Sequence, residues 1–168
     1  YPGAQIPFGG IQISPDTDSR FYDAASGYKY NHLTLMGFSL THLSGTGIPD
    51  LGDFLFIPGT GEMKLEPGTH EDPDQGYRSR YSHDKEWASP NYYAVELADY
   101  GVKAEMTSGV RSGMFRFTYP ESDNAFIMID MNHTLWQSCE WSNLRMINDS
   151  TITGYKLVKG WGPERHVY

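Results

Sequence analysis

The sequence predicts a mostly β protein: an antiparallel β-sandwich with long ordered loops in its N-terminal half. Three observations support this. The 18 glycines and 10 prolines are spread along all 168 residues, and no stretch keeps a 3.6-residue apolar period. Short strands joined by turns satisfy such a chain better than helices do. The clearest strands lie between Tyr92 and Ser150, where short runs alternate apolar and polar residues with the period of a strand with one buried face. Residues 1–53 instead carry short apolar pieces among dense Gly, Ser, Thr, Asp and Pro, a composition that makes loops where sites are placed.

Along the chain, residues 66–84 are polar, contain Pro and Gly, and read as a surface excursion with little β signal. Tyr93, Val95 and Leu97 then alternate with Ala94 and Glu96, and Asp99-Tyr100-Gly101 turns the chain. Val102, Ala104 and Met106 alternate with Lys103 and Glu105, so a hairpin with one buried face is expected. Phe115, Phe117 and Tyr119 form the next alternating strand, which Pro120 stops. The nearly continuous apolar run 125–131 predicts a central strand covered on both faces. Residues 151–158 predict a further strand, broken or bulged at Gly154. This meander closes most easily as a sandwich.

Hydrophobic content of 39% with 20% charged residues describes a globular chain with a core, organised as one domain. No run approaches the roughly 20 apolar residues of a membrane span, so no membrane insertion is expected. A net charge of −8 with 13 scattered basic residues argues against nucleic acid, whose phosphates need clustered Lys and Arg. The lone Cys139 excludes an intrachain disulfide framework and a cysteine-based zinc cluster. The start at Tyr1-Pro2-Gly3 and the close on a strand-like segment lead us to expect a domain cut from a longer protein.

Four segments could carry chemistry. In Thr41-His42-Leu43-Ser44-Gly45-Thr46-Gly47, small residues allow close backbone approach while His, Ser and Thr offer hydrogen bonds to hydroxyls. A structural turn holding a satisfied histidine explains the same run. Asp50 and Asp53 flank Gly52 and could help hold calcium or simply cap turns. In Tyr22-Asp23-Ala24-Ala25-Ser26-Gly27-Tyr28, aromatics beside an acid suit a sugar site, and equally suit a turn flanked by core tyrosines. Asp130, Asn132 and His133 end a strand, where a structural or supporting role is favoured because no nucleophile elbow accompanies them.

Taken in order, these segments resemble the N-terminal domain of glycoside hydrolase family 92. The resemblance rests on Tyr1-Pro2-Gly3-Ala4-Gln5-Ile6-Pro7-Phe8-Gly9, Ser14-Pro15-Asp16-Thr17, Tyr22 to Tyr28, Gly37 to Gly47, Asp50 to Asp53, Ala88 to Tyr93 and Asp99 to Glu105. It implies a supersandwich-type domain packed on an (α/α)6-barrel catalytic domain in an inverting, calcium-dependent exo-α-mannosidase. The substrates would be α-mannosides such as N-glycan branches, in an exported, periplasmic or extracellular bacterial enzyme. Both catalytic carboxylates and most calcium contacts would lie in the barrel, leaving this domain without a catalytic residue. Its expected sugar contacts are Ser26, Gly27, Tyr28, His42, Ser44, Gly45, Thr46 and Asp53. Two departures are expected from the family pattern: a glycine- and histidine-rich stretch that most members carry ahead of Tyr1-Pro2-Gly3, and the Phe-Ser-His-Thr-His of many members where this chain has Phe38-Ser39-Leu40-Thr41-His42. The alternatives are a stand-alone carbohydrate-binding module and a structural sandwich without hydrolytic activity.

Overall fold

The structure, a computed structural model, describes residues 1–19, 24–43 and 47–160, together with the backbone of 165–167. Its strands in chain order are β1 (Ser14–Asp16), β2 (Thr34–Leu35), β3 (Gly37–Ser39), β4 (Leu55–Thr60), β5 (Ser79–Arg80), β6 (Glu86–Ser89) and β7 (Tyr92–Leu97). They continue as β8 (Val102–Ser108), β9 (Gly113–Thr118), β10 (Ala125–Asp130), β11 (Ser138–Asn148), β12 (Thr151–Lys159) and β13 (Arg165–Val167). Two four-stranded antiparallel sheets, ordered β1-β3-β4-β10 and β6-β7-β8-β9, form the two layers of the sandwich. The β2-β5 pair and the β11-β12-β13 ribbon flank them.

The core follows from the alternation in the sequence. Tyr93, Val95 and Leu97 of β7 and Val102, Ala104 and Met106 of β8 all face inward, at most 2% exposed. They meet Phe38 of β3, Leu35 of β2, Ala4 and Ile13. Phe115 and Phe117 of β9 reach across the gap, with ring centroids 5.0 Å between Phe56 and Phe115 and 6.4 Å between Phe38 and Phe117. Each such large side chain contributes about 1.5–3 kcal/mol when fully buried. A second, smaller cluster of Met36, Leu55, Ile57 and Tyr77 lies on the opposite face of the first sheet. Leu40 packs against the main core.

Three expectations are corrected. The apolar run 125–131 is not a central strand: β10 ends its sheet and pairs only with β4 among the described residues. None of its side chains is fully buried, and Ile127 is left 53% exposed. Residues 66–84 are not a simple surface excursion, because Tyr77, Arg78, Ser79 and Tyr81 turn into the interior. The irregularity expected at Gly154 lies instead in its partner strand, where register shifts fall between Cys139 and Trp141 and between Met146 and Asn148. No helix of the described residues is long and apolar enough to cross a membrane.

Candidate functional site

β1 carries an acid where its strand is completely enclosed. Asp16 is 0% exposed, and three groups converge on its carboxylate. Ser39, at the end of β3, donates to Oδ2 at 2.6 Å; His42 Nε2 lies 2.7 Å from Oδ1 and His133 Nε2 lies 2.8 Å from Oδ2. The second nitrogen of His42, Nδ1, faces the Gln12 carbonyl at 2.7 Å. A carbonyl only accepts, so His42 Nδ1 donates. Burial pushes the Asp16 carboxyl upward, yet the charge of His42 and the hydrogen bonds from His133 and His42 outweigh it. The carboxyl is held well below the usual carboxylate range. The trio of Ser39, His42 and Asp16 is no nucleophile site, since serine and acid share one ring nitrogen and all three side chains are sealed.

Gly27 closes this cage from the loop that precedes β2. Its φ is +83°, and a Cβ there would sit 2.1 Å from Asp16 Oδ1 and 3.3 Å from the His42 ring. Backbone conformation and close approach therefore both demand glycine. Gly27 also accepts the N–H groups of Thr17 (2.6 Å) and Asp18 (3.2 Å), which ties the 24–28 loop to the end of β1. We expect Gly27→Ala to cost about 2–4 kcal/mol, from left-handed strain and overpacking together. A guanidinium unfolding curve checks this.

A second buried pair lies on the other side of His133. Lys156 of β12, 0% exposed, donates to the His133 carbonyl at 2.6 Å and lies 3.2 Å from Asp53 Oδ1. Asp53 Oδ2 accepts from the Thr41 hydroxyl at 2.8 Å, and Thr41 in turn accepts the Asp53 N–H at 3.0 Å. Lys156 also stands 5.6 Å over the Phe54 ring. The backbone around Asp53 is forced, with Leu51, Gly52 and Phe54 all at positive φ. At Gly52 a Cβ would meet Leu135 Cγ at 2.7 Å. Both ends of the His42-containing loop are thus bolted to buried charges, one through Asp16 and one through Asp53.

The expected site residues divide accordingly. His42 and Asp53 are 1% exposed and spend their polar atoms on protein groups, so they act beneath the surface as positioning residues. Gly27 is buried, whereas Ser26 and Tyr28 are half-buried. Ser44, Gly45 and Thr46 lie outside the described residues. Tyr28 forms part of a pocket of about 470 Å³ with Tyr1, Pro2, Tyr30, His83 and Glu86. Its hydroxyl lies 3.1 Å from both Glu86 oxygens, and the buried Tyr93 hydroxyl donates to Glu86 Oε1 at 2.6 Å. Burial, followed by neighbouring Tyr81 and Glu86, raises the Tyr28 hydroxyl far above the ordinary phenol range, so it remains a donor.

Asp50 and Asp53 do not make a calcium cage. Asp50 Oδ1 accepts the Leu51 N–H at 2.6 Å and the Gln137 amide, while Asp53 faces an ammonium and a hydroxyl. Calcium needs about six to eight converging oxygens, and these side chains do not supply them. The sequence reading missed Asp16, Ser39 and Lys156 as site-building residues. Lys156 could have been noticed, because it keeps step with Val158 on the inward side of β12. His133, assigned a supporting role, supports the Asp16 carboxylate.

A family model for the glycosyl hydrolase family 92 N-terminal domain matches residues 1–168. Among solved structures, the family 92 glycosyl hydrolase ccman5 superposes with a TM-score of 0.77 at 25% identity, over 98% of this chain and 23% of its own. A family 92 inverting mannosidase from Bacteroides thetaiotaomicron superposes with a TM-score of 0.66 at 20% identity, over 94% of this chain and 21% of its own. At that lower identity the likeness shows the fold. Comparison with curated proteins finds no match. The chain spans less than a quarter of the length of either solved relative.

Proposed function

This chain belongs to glycosyl hydrolase family 92, whose N-terminal domain it forms, and from that premise we propose that it supplies part of the mannose-binding surface of an inverting exo-α-mannosidase. The substrates are α-mannosides such as N-glycan branches. The observation that carries this reading is the Asp16 cage. One buried carboxylate ties the 24–28 loop, through Gly27, to the His42-containing loop and to the end of β10. Two Gly-, Ser- and aromatic-rich loops are thereby held with their bases fixed, which is the preorganisation a sugar site requires.

In this reading Ser26, Tyr28, Ser44, Gly45 and Thr46 contact sugar, while Gly27, His42 and Asp53 hold those contacts in place. Tyr28 lays an aromatic wall along an apolar sugar face, and Glu86, engaged by Tyr28, Tyr93 and His83, holds that ring in place. The pocket they share lies within the roughly 300–1,000 Å³ of small-molecule sites. Inversion needs one carboxylic acid and one carboxylate about 6.5–9.5 Å apart, both reaching substrate. Asp16 and Asp53 are sealed from solvent and cannot reach substrate; the family resemblance implies an acid–base pair in a partnering barrel domain. The calcium belongs there too, where it would polarise the bound sugar.

Two measurements test this. Hydrolysis of p-nitrophenyl-α-mannoside should require a barrel domain joined to these residues, should vanish with EDTA and should return with calcium. Calcium-dependent turnover by the 168 residues alone would overturn the assignment of catalysis to the barrel. Within the active two-domain protein, Tyr28→Ala should lower kcat/KM by about 10-fold or more, about 1.4 kcal/mol of transition-state binding. Binding of mannosides by the domain alone, without turnover, would favour a carbohydrate-binding module.

A further inference from the structure

We propose that Asp18, His32 and His70 form a site for a divalent transition-metal ion of the zinc type, separate from the family's calcium and from the sugar-facing loops. One ligand atom from each residue lies within 4.8 Å of those of the other two. The three come from different places: the segment after β1, the turn before β2, and the loop before β5. They line one open pocket of about 600 Å³ with Asn31, Leu33 and Thr34. The two imidazole rings sit 4.0 Å apart at an interplanar angle of 50°.

The surroundings present the rings as ligands. His32 Nδ1 lies 3.0 Å from the Thr17 hydroxyl, which already accepts the Lys29 N–H at 2.9 Å and points its own hydrogen at the Gly27 carbonyl at 3.4 Å. Nδ1 is then the donor, which leaves the lone pair on Nε2. His70 Nδ1 is anchored 2.9 Å from the Thr34 hydroxyl. Its Nε2 is buried without a hydrogen-bond partner and faces Asp18 Oδ2 at 3.5 Å. Anchoring one ring nitrogen by an oxygen while the other points at the metal is the usual arrangement around ligating histidines. An orphaned buried nitrogen also carries a desolvation cost that a metal bond would remove.

Two imidazoles and one carboxylate select zinc, nickel or cobalt rather than calcium, which prefers an all-oxygen shell. Tetrahedral arms of about 2.0–2.2 Å require ligand atoms about 3.4 Å apart. The side chains therefore draw together by about 1 Å, within reach of small χ rotations. The fourth position opens into the pocket and takes water or an anionic ligand. Arg78 is the opposing charge, 3.5 Å from His70 Nδ1, but its Nη1 is engaged with the Thr17 carbonyl and the Thr34 hydroxyl. Asp18 and Glu71 balance it on the metal side.

The test titrates chelator-treated protein with Zn2+ and, separately, Co2+. One equivalent should bind, with the intense visible absorption of tetrahedral cobalt, and Zn2+ at a hundredfold excess over Kd should raise Tm by about 5–10 °C. The His32→Gln/His70→Gln variant should lose at least about 100-fold in affinity, while His83→Gln binds as the parent does. Unchanged binding by the double variant overturns the site. If that variant fails to fold, ring-nitrogen NMR of the unaltered protein decides. Zn2+ must shift Nε2 of His32 and His70, and shifts confined to other histidines, or none, overturn the proposal.

Discussion

Asp16→Ala is expected to destabilise the domain by about 3–5 kcal/mol, the cost of removing one partner from a buried charged cluster. Two imidazoles and a hydroxyl converge on that carboxylate at 2.6–2.8 Å with no exposure to water. Their polar atoms would be stranded in a low-dielectric cage. Asp16→Asn keeps the volume but sets an amide where an anion stood, so it should recover only part of the loss. For a chain of this length each kcal/mol is worth about 2–4 °C, so Asp16→Ala should lower Tm by about 6–20 °C. Urea unfolding followed by tryptophan fluorescence reads the effect, and a change below about 1 kcal/mol would show that the cage is dispensable.

The same carboxylate sets an acid limit. A group whose folded pKa lies below its unfolded value adds stability at pH above the unfolded value, and that stability is lost as pH falls through the folded one. For Asp16 the contribution is whole above the ordinary aspartate value of about 3.8 and declines below it. Stability of the parent should therefore fall as pH drops below about 4, and the Asp16→Asn profile should be shallower across that window. Parallel profiles would remove Asp16 from the account.

Lys156→Met is the second large effect. With the ammonium gone, Asp53 is left 1% exposed, retaining Thr41 but without its facing cation. The His133 carbonyl also loses its 2.6 Å donor. A loss of about 3–5 kcal/mol is expected. The double variant Lys156→Met/Asp53→Asn should recover at least about 1–2 kcal/mol of this, because removing both charges abolishes the stranded ion. A double variant no more stable than Lys156→Met would mean that the lysine acts through its bond to the His133 carbonyl and its ammonium over the Phe54 ring, not through Asp53. Both networks meet at His133, so Asp16 and Lys156 variants should combine non-additively.

How far the sequence could be read depended on how local each signal was. The β7-β8 hairpin announced itself through strict alternation around Asp99-Tyr100-Gly101, and the inward set Tyr93, Val95, Leu97, Val102, Ala104 and Met106 is the set found in the core. β9 was marked by Phe115 and Phe117 and by the proline two residues beyond it. The run 125–131 misled because a continuous apolar stretch says nothing about how many neighbours a strand has. β10 has one neighbour among the described residues, and its apolar side chains are exposed or half-buried, none fully buried. β11, the longest strand, was not anticipated, because Glu140, Ser142, Asn143 and Arg145 interrupt any apolar period and most of its residues stay exposed.

By itself the sequence determined the class of fold and the family to which the chain belongs. Those rest on neighbouring residues: alternation, turn chemistry and ordered motifs within a few positions of each other. Only the tertiary structure decided what His42 and Asp53 do, because their partners are distant in the chain. Asp16 and His133 are 117 residues apart, and Lys156 meets a residue more than a hundred positions earlier. A buried charge is stable only where an opposite charge or a donor is folded against it, and no local pattern states which one that will be.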